Sequence, residues 1–151
     1  MSHTPTSLGI VAQAGVPYRR MKTDTQLKPN TGTQTTKIFV HGLEIDAHCG
    51  VYAHEKGRAR KLVLDIEIEL FTNALVQNDD LNTTIDYDEL VAKAKSVAQS
   101  KHYNLIETYG ACLIEEIFKD QRIKSTKIRV EKPTAIPDAK TTGVEIMRIR
   151  A

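Results

Sequence analysis

Tryptophan is absent from this 151-residue chain, cysteine occurs twice, and aromatic residues make up only 5%. No apolar run approaches the ~18–20 residues that a membrane-crossing helix needs. Cys49 and Cys112 stand far apart and in no metal-ligand spacing. They read as reduced thiols in a reducing compartment, with a single disulfide as the alternative. No glycine-rich loop follows a strand pattern, so that route to cradling a nucleotide's phosphates is missing. Basic charge is also missing where a nucleic acid would need it. Residues 1–36 carry Arg19, Arg20, Lys22 and Lys28 against Asp24, net +3, so the remainder of a chain of net +2 totals −1. The basic excess is a property of the tail, and the body lacks the electrostatic footprint of a nucleic-acid binder. Membrane spans, disulfide scaffolds, zinc fingers and nucleic-acid binding are thereby excluded as expectations.

What is present divides the chain in two. Residues 1–36 are rich in Ser, Thr, Gln, Gly and Pro and show no periodicity. Such a segment buries too little apolar area to offset its ordering entropy, so a disordered extension is expected. Its short apolar piece precedes the arginines, the reverse of a secretory signal, and Met21 is an alternative start. Residues 37–151 are expected to form one domain, cytoplasmic in location. Lys37–Val40 and Leu43–Asp46 are apolar-polar mixtures interrupted by Gly42, the pattern of a bulged strand. Leu62, Leu64, Ile66, Ile68 and Leu70 alternate with Val63, Asp65, Glu67 and Glu69, the clearest strand signal in the chain.

Thr83, Thr84 and Asp86 are candidate caps for a helix running to about Ser100, with Leu90, Val91, Ala94, Val97 and Ala98 as its apolar stripe. A second helix is expected from about Leu105 to Lys119, with Ile106, Tyr109, Leu113, Ile114 and Ile117 facing the core and Gly110 a mild weakness. Lys127–Val130 and Val144–Ile149 read as two further strands flanking a loop that holds Pro133 and Pro137. The order ββααββ predicts an α+β domain: a four-stranded antiparallel sheet with two helices on one face. The other face and the sheet edges would then be left open, a cost that joining sheets between copies would remove.

Unusual polar residues collect at element ends, in the segments His48–Glu55, Thr84–Tyr87, Asn104–Glu107 and Glu131–Pro137. Each has an ordinary explanation. Glu55 beside Lys56 and Gly57 reads as a solvated turn residue. Tyr87 could anchor a helix start with its hydroxyl in water. Glu107 in a first helical turn favours the helix dipole without further purpose. Lys132 before Pro133 reads as a loop cation. The histidines (His3, His41, His48, His54 and His102) make a poor metal set, because His41 and His48 are an odd seven residues apart on an extended segment unless a bulge intervenes. Lys56, Arg58, Arg60 and Lys61 form a basic cluster that suits a phosphate or, more simply, a charged hairpin flank.

Four strings in order, IFVHGLEIDAHCGVYAHEKGRARKLVLDIEIEL from Ile38, TIDYDELV from Thr84, NLIETYGACLIEEI from Asn104 and VEKPTAIPDAKTTGVEI from Val130, together resemble dihydroneopterin aldolase, the folate-pathway lyase. The resemblance implies the tunnelling fold, in which subunits join their sheets into a ring, a tetramer or a stacked octamer, with active sites between neighbours. It implies catalytic roles for Lys132, Tyr87 and Glu55. It implies pterin contacts from Glu107, with Asn104 nearby, and from the backbone at Ile85 and Ile106. Tyr87 and Lys132 would come from different chains. Cys49 stands where some relatives carry histidine.

The implied reaction splits 7,8-dihydroneopterin into 6-hydroxymethyl-7,8-dihydropterin and glycolaldehyde. The substrate's own ring imine can accept the electron pair of the broken C–C bond, so neither metal, nor other cofactor, nor covalent lysine is expected. Recapture of glycolaldehyde on the other face would give 2′-epimerisation as a side activity. The alternative reading is a dihydroneopterin triphosphate epimerase. A non-catalytic ring protein binding a pterin or purine is a third, disfavoured by the intact set Glu55, Tyr87, Glu107 and Lys132.

Overall fold

Strict alternation in the second strand sets the architecture. In the computed structural model, which describes Gly15 and residues 32–151, Leu62, Leu64, Ile66, Ile68 and Leu70 are all at most 2% exposed. The expected disordered extension, residues 1–36, lies almost wholly outside the described residues. The elements are β1 (Lys37–Ala47), β2 (Arg60–Leu70), α1 (Tyr87–Ser100), α2 (Ile106–Ile117), β3 (Ile123–Glu131) and β4 (Gly143–Ile149). The strands form one antiparallel sheet in the order β1-β2-β3-β4.

One face of the sheet is covered. Leu90, Ala94 and Ala98 of α1 and Tyr109, Leu113, Ile114 and Ile117 of α2 join the core with the inward residues of β2 and with Ile128 and Val130 of β3. Two departures from period two are absorbed by irregular pairing. In β1, Val40 pairs with Ile66 and Leu43 with Leu64, so His41 and Gly42 together oppose one residue, Asp65. Gly42 takes φ +68° there and donates its N–H to Asp65 Oδ1 at 2.7 Å. The expected interruption is therefore a bulge inside one continuous strand.

The third strand begins at Ile123, four residues before the sequence pattern suggested. A second irregularity, between Glu69 and Leu70, and the wholly buried Thr126 obscure the alternation at that end. Gly110 is more than a weak point in α2. A Cβ there would sit 2.9 Å from Ile146 Cδ1, so glycine lets the helix lie close on β4.

The other face of the sheet carries ion pairs. Glu67 meets both His41 and Lys127 at 3.3 Å, and Glu69 takes Lys124 at 2.8 Å. Among the described residues, the well-exposed large apolar side chains of this face lie on the two outer strands: Phe39 on β1, and Met147 and Ile149 on β4, each about 60% exposed. Both cysteines are free thiols.

Candidate active site

A tight turn after β1 builds the centre of the site. Gly50 takes φ +145°, a conformation that side chains rarely adopt, and a Cβ there would meet the Glu55 carboxyl carbon and Oε2 at 2.3 Å. Glycine at this position is what lets the backbone pass over the Glu55 side chain. One short helical turn later, Glu55 is only 6% exposed. Its Oε2 accepts the Tyr52 N–H at 3.1 Å, and its Oε1 pairs with the Lys132 ammonium. The expectation of a solvated turn carboxylate is thus overturned, and so is that of a loose loop cation: the Lys132 side chain is only 18% exposed. The Lys132 N–H donates to the Thr142 carbonyl at 2.7 Å, which fixes the lysine where β3 gives way to the proline loop.

The Lys132 hydrogen bond holds the Glu55 carboxyl below its usual range, against the opposing effect of burial, with help from the Tyr52 N–H. Beside the pair lies Cys49. Burial pushes its thiol up, the Lys132 charge pulls it back, and the Glu55 and Glu107 carboxylates push it further up. One buried thiol therefore feels Lys132, Glu55 and Glu107 together. Glu107 stands exposed in the first turn of α2. The first N–H groups of a helix have no acceptor within it, so those of Ile106 and Glu107 point outward beside that carboxylate. Asn104 is exposed just ahead of the helix.

A strap that the sequence reading missed ties the two parts together. Gly50 donates its N–H to the Tyr103 carbonyl at 2.9 Å, and Tyr103 donates its own to the His48 carbonyl at 2.8 Å. His102 Nε2 lies 2.8 Å from the Gly50 carbonyl, and because a carbonyl only accepts, that nitrogen carries the proton. From sequence, His102 is a candidate only as a metal ligand. Among the described residues no group of His, Cys, Asp and Glu side chains could hold a metal ion.

Tyr87 and Ile85 are elsewhere. The C-terminal end of α1 reaches the strap, with Ser100 Oγ 3.1 Å from the Tyr103 hydroxyl. Tyr87 is the first residue of this 14-residue helix, which puts it about 20 Å away at 1.5 Å per residue. A second ruler agrees. The Thr84 carbonyl is held at 2.7 Å by Arg122, which precedes β3, while Lys132 follows it, a separation of about 30 Å along nine strand residues. Tyr87 is 61% exposed and Ile85 is buried. One chain therefore gathers Glu55, Lys132, Glu107, Asn104 and Ile106 at one end of the sheet and presents Tyr87 and Ile85 at the other. A groove of about 740 Å³ between the helices, lined by Lys93, Val97, Tyr103, Cys112 and Glu116 among others, contains none of these residues.

Residues 38–147 match the family model for dihydroneopterin aldolase, FolB. The chain belongs to the dihydroneopterin aldolase family. It is 30% identical over 115 residues to the dihydroneopterin aldolase of Bacillus subtilis, covering 74% of this chain and 96% of that one. It is 28% identical over 112 residues to that of Haemophilus influenzae, covering 74% and 95%. In structure it resembles the Escherichia coli dihydroneopterin aldolase solved in complex with neopterin, with TM-score 0.69 and 25% identity, covering 75% of this chain and 98% of that one. Family members thus match from β1 to β4, and the tail before residue 38 lies outside the matched region.

Proposed function

We propose that this protein cleaves 7,8-dihydroneopterin by a retro-aldol reaction in folate biosynthesis, as a lyase whose active sites each draw on two copies of the chain. Membership of the dihydroneopterin aldolase family supports the activity. The buried Glu55–Lys132 pair beside Glu107 is the observation that carries the chemical reading. The distance to Tyr87 within one chain supports a shared site.

In this reading Glu107 accepts two hydrogen bonds from the aminopyrimidinone edge, a bidentate contact that a carboxylate supplies well. The N–H groups at Ile106, the Asn104 side chain and the neighbour's Ile85 backbone complete the grip on the ring. The 2′-hydroxyl of the side chain loses its proton to a base, directly or through a water held by Glu55. The C1′–C2′ bond then breaks and glycolaldehyde departs. The electron pair forms a C6–C1′ double bond as N5 of the ring gains a proton. Lys132, ion-paired with Glu55, is the donor to N5. Return of the N5 proton, with protonation of C1′ through the neighbour's Tyr87, gives 6-hydroxymethyl-7,8-dihydropterin. The ring imine is the electron sink, so the reading needs neither a metal nor a Schiff base. Lys132 paired as a cation is a proton donor rather than a free amine nucleophile, which favours this over an imine mechanism.

A ring of subunits follows from the same reading, as a tetramer or a stacked octamer. The outer strands β1 and β4 supply free edges and carry Phe39, Met147 and Ile149, the apolar residues a sheet-to-sheet contact would cover. A cytoplasmic location goes with the free thiols of Cys49 and Cys112. No helix among the described residues is long and apolar enough to cross a membrane.

Epimerisation at C2′ is an expected side reaction, through recapture of glycolaldehyde by the same intermediate. A dedicated epimerase for the triphosphate is less well supported. Two members of the basic cluster are engaged elsewhere, Lys61 with Glu44 at 2.8 Å and Arg60 with the His54 carbonyl at 3.4 Å. Incubation with 7,8-dihydroneopterin and its triphosphate, with glycolaldehyde measured after exhaustive chelation, tests the proposal. Release from the unphosphorylated substrate, undiminished by the chelator, is expected. No release from either would leave a ring protein that only binds pterins.

A further inference from the structure

At the Tyr87 end of the sheet lies a polar groove of about 990 Å³, lined by Phe71, Asn82, Thr83, Arg122 and Arg150 among others. Two arginines in a groove suggest an anion site, but their donors are already committed. Arg150 gives Nη2 to the Phe118 and Asp120 carbonyls at 2.7 and 3.1 Å, and Nε to the Ile123 carbonyl at 3.0 Å. Arg122 gives Nε and Nη2 to the Asp120 carboxylate at 3.0 and 2.7 Å. Its remaining terminal nitrogen, Nη1, reaches the Thr84 carbonyl at 2.7 Å and the Asn82 carbonyl at 3.5 Å. The guanidinium is thus locked by Asp120 and spends its free arm on the loop that leads into α1.

That loop is otherwise made from its own polar side chains. Thr83 Oγ1 accepts the Gln77 N–H at 2.9 Å, and Asp80 Oδ1 accepts the Asn82 N–H at 3.0 Å. Between it and Tyr87 stand only Ile85, buried in the core, and Asp86, which caps the helix by accepting the Asp88 N–H at 2.8 Å. Tyr87 itself is 61% exposed and opens α1 directly after this short run of backbone. Beside the burial of Ile85, among the described residues it is Arg122 that ties this run to the sheet side by side-chain hydrogen bonds, at the Asn82 and Thr84 carbonyls. A planar, bidentate guanidinium suits a fixed three-point clamp, which lysine cannot reproduce.

We propose that Arg122, oriented by Asp120, is a positioning residue for Tyr87: it holds the Asn82–Thr84 backbone so that the tyrosine is presented to the neighbouring subunit's site. This rests on the role given to Tyr87 above. A double-mutant cycle on the full-length oligomer tests it, with kcat and KM for dihydroneopterin cleavage and the melting temperature measured for each variant. Arg122→Met is expected to lower kcat about tenfold with a smaller rise in KM, because the Glu107 anchor belongs to the other chain of the site and only the Ile85 backbone contact adjoins the gripped run. Arg122→Lys should recover part of that loss. On a Tyr87→Phe background Arg122→Met should cost nothing further. Should Arg122→Met fail to assemble, Asp120→Asn frees the guanidinium and reads the same cycle. Unaltered kcat in the Arg122 or Asp120 variant, or a loss that multiplies onto that of Tyr87→Phe, would overturn the proposal. Full turnover by Tyr87→Phe alone is a different result and would overturn the role of Tyr87 together with it.

Discussion

Replacing Gly50 by alanine probes the turn that packs Glu55, and the structure sets the size of the effect. At φ +145° an alanine is in a region nearly reserved for glycine, a strain on the order of 1–3 kcal/mol. Its Cβ would also fall 2.3 Å from the Glu55 carboxyl carbon and Oε2. Glu55 is held by Lys132 and by the Tyr52 N–H, so either the overlap persists or the carboxylate leaves its partner. Breaking a buried ion pair costs about 3–5 kcal/mol, and overpacking about 1–3. The chain takes the cheaper route, overpacking, and with the backbone strain the total comes to about 2–6 kcal/mol. Gly57 is the control. It also has positive φ, +73°, but a Cβ there meets nothing within 4 Å, so Gly57→Ala should cost only about 1 kcal/mol. Urea unfolding followed by circular dichroism gives both numbers, as midpoint shifts at constant slope. Initial rates of glycolaldehyde release on the folded Gly50→Ala protein should fall at least tenfold, on the order of the barrier change that a misplaced catalytic group brings. Equal stability losses for the two variants, with Gly50→Ala fully active, would refute the idea that this turn holds Glu55 in its working place.

Other outcomes follow from the same arrangement. Glu107→Ala should raise KM strongly, by a loss of about 2–4 kcal/mol of charge-assisted hydrogen bonding, while Lys132→Ala should lower kcat at nearly unchanged KM; steady-state kinetics separate the two, and full turnover by Lys132→Ala would remove lysine from the mechanism. The Glu55 carboxyl lies below its unfolded value, so its pairing stabilises the protein fully above the ordinary carboxylate range and is lost as pH falls through the depressed folded value. The stability advantage of wild type over Glu55→Gln should therefore be constant near neutrality and shrink below about pH 4, in urea titrations at several pH values.

How much of this was legible in the sequence depended on how local each signal was. The alternation of β2 and the stripes of both helices are carried by neighbours in the chain, so Leu62 to Leu70, Leu90 to Ala98 and Tyr109 to Ile117 could be read directly. The start of β3 could not, because its inward Thr126 is polar, the neighbouring Ser125 is buried as well, and the pairing slips between Glu69 and Leu70. At the site, local context made Glu55 and Lys132 look solvated. Their pairing spans 77 residues, and only the folded chain brings them together. Resemblance to a family supplied those two residues, with Tyr87 and Glu107. It did not supply the supports: Gly50 under the Glu55 carboxylate, His102 on the Gly50 carbonyl, and Arg122 on the Thr84 carbonyl. Each of these acts on backbone remote in sequence, where no short pattern records it.

The central claim is that one working site takes Lys132 and Glu107 from one chain and Tyr87 from another. Unfolding Tyr87→Phe and Lys132→Ala proteins together in equal amounts and refolding the mixture tests it most directly. In a randomly mixed ring about one site in four unites an intact tyrosine with an intact lysine, so the mixture should regain about a quarter of the wild-type rate. A mixture no more active than its two components refolded separately would contradict the shared site.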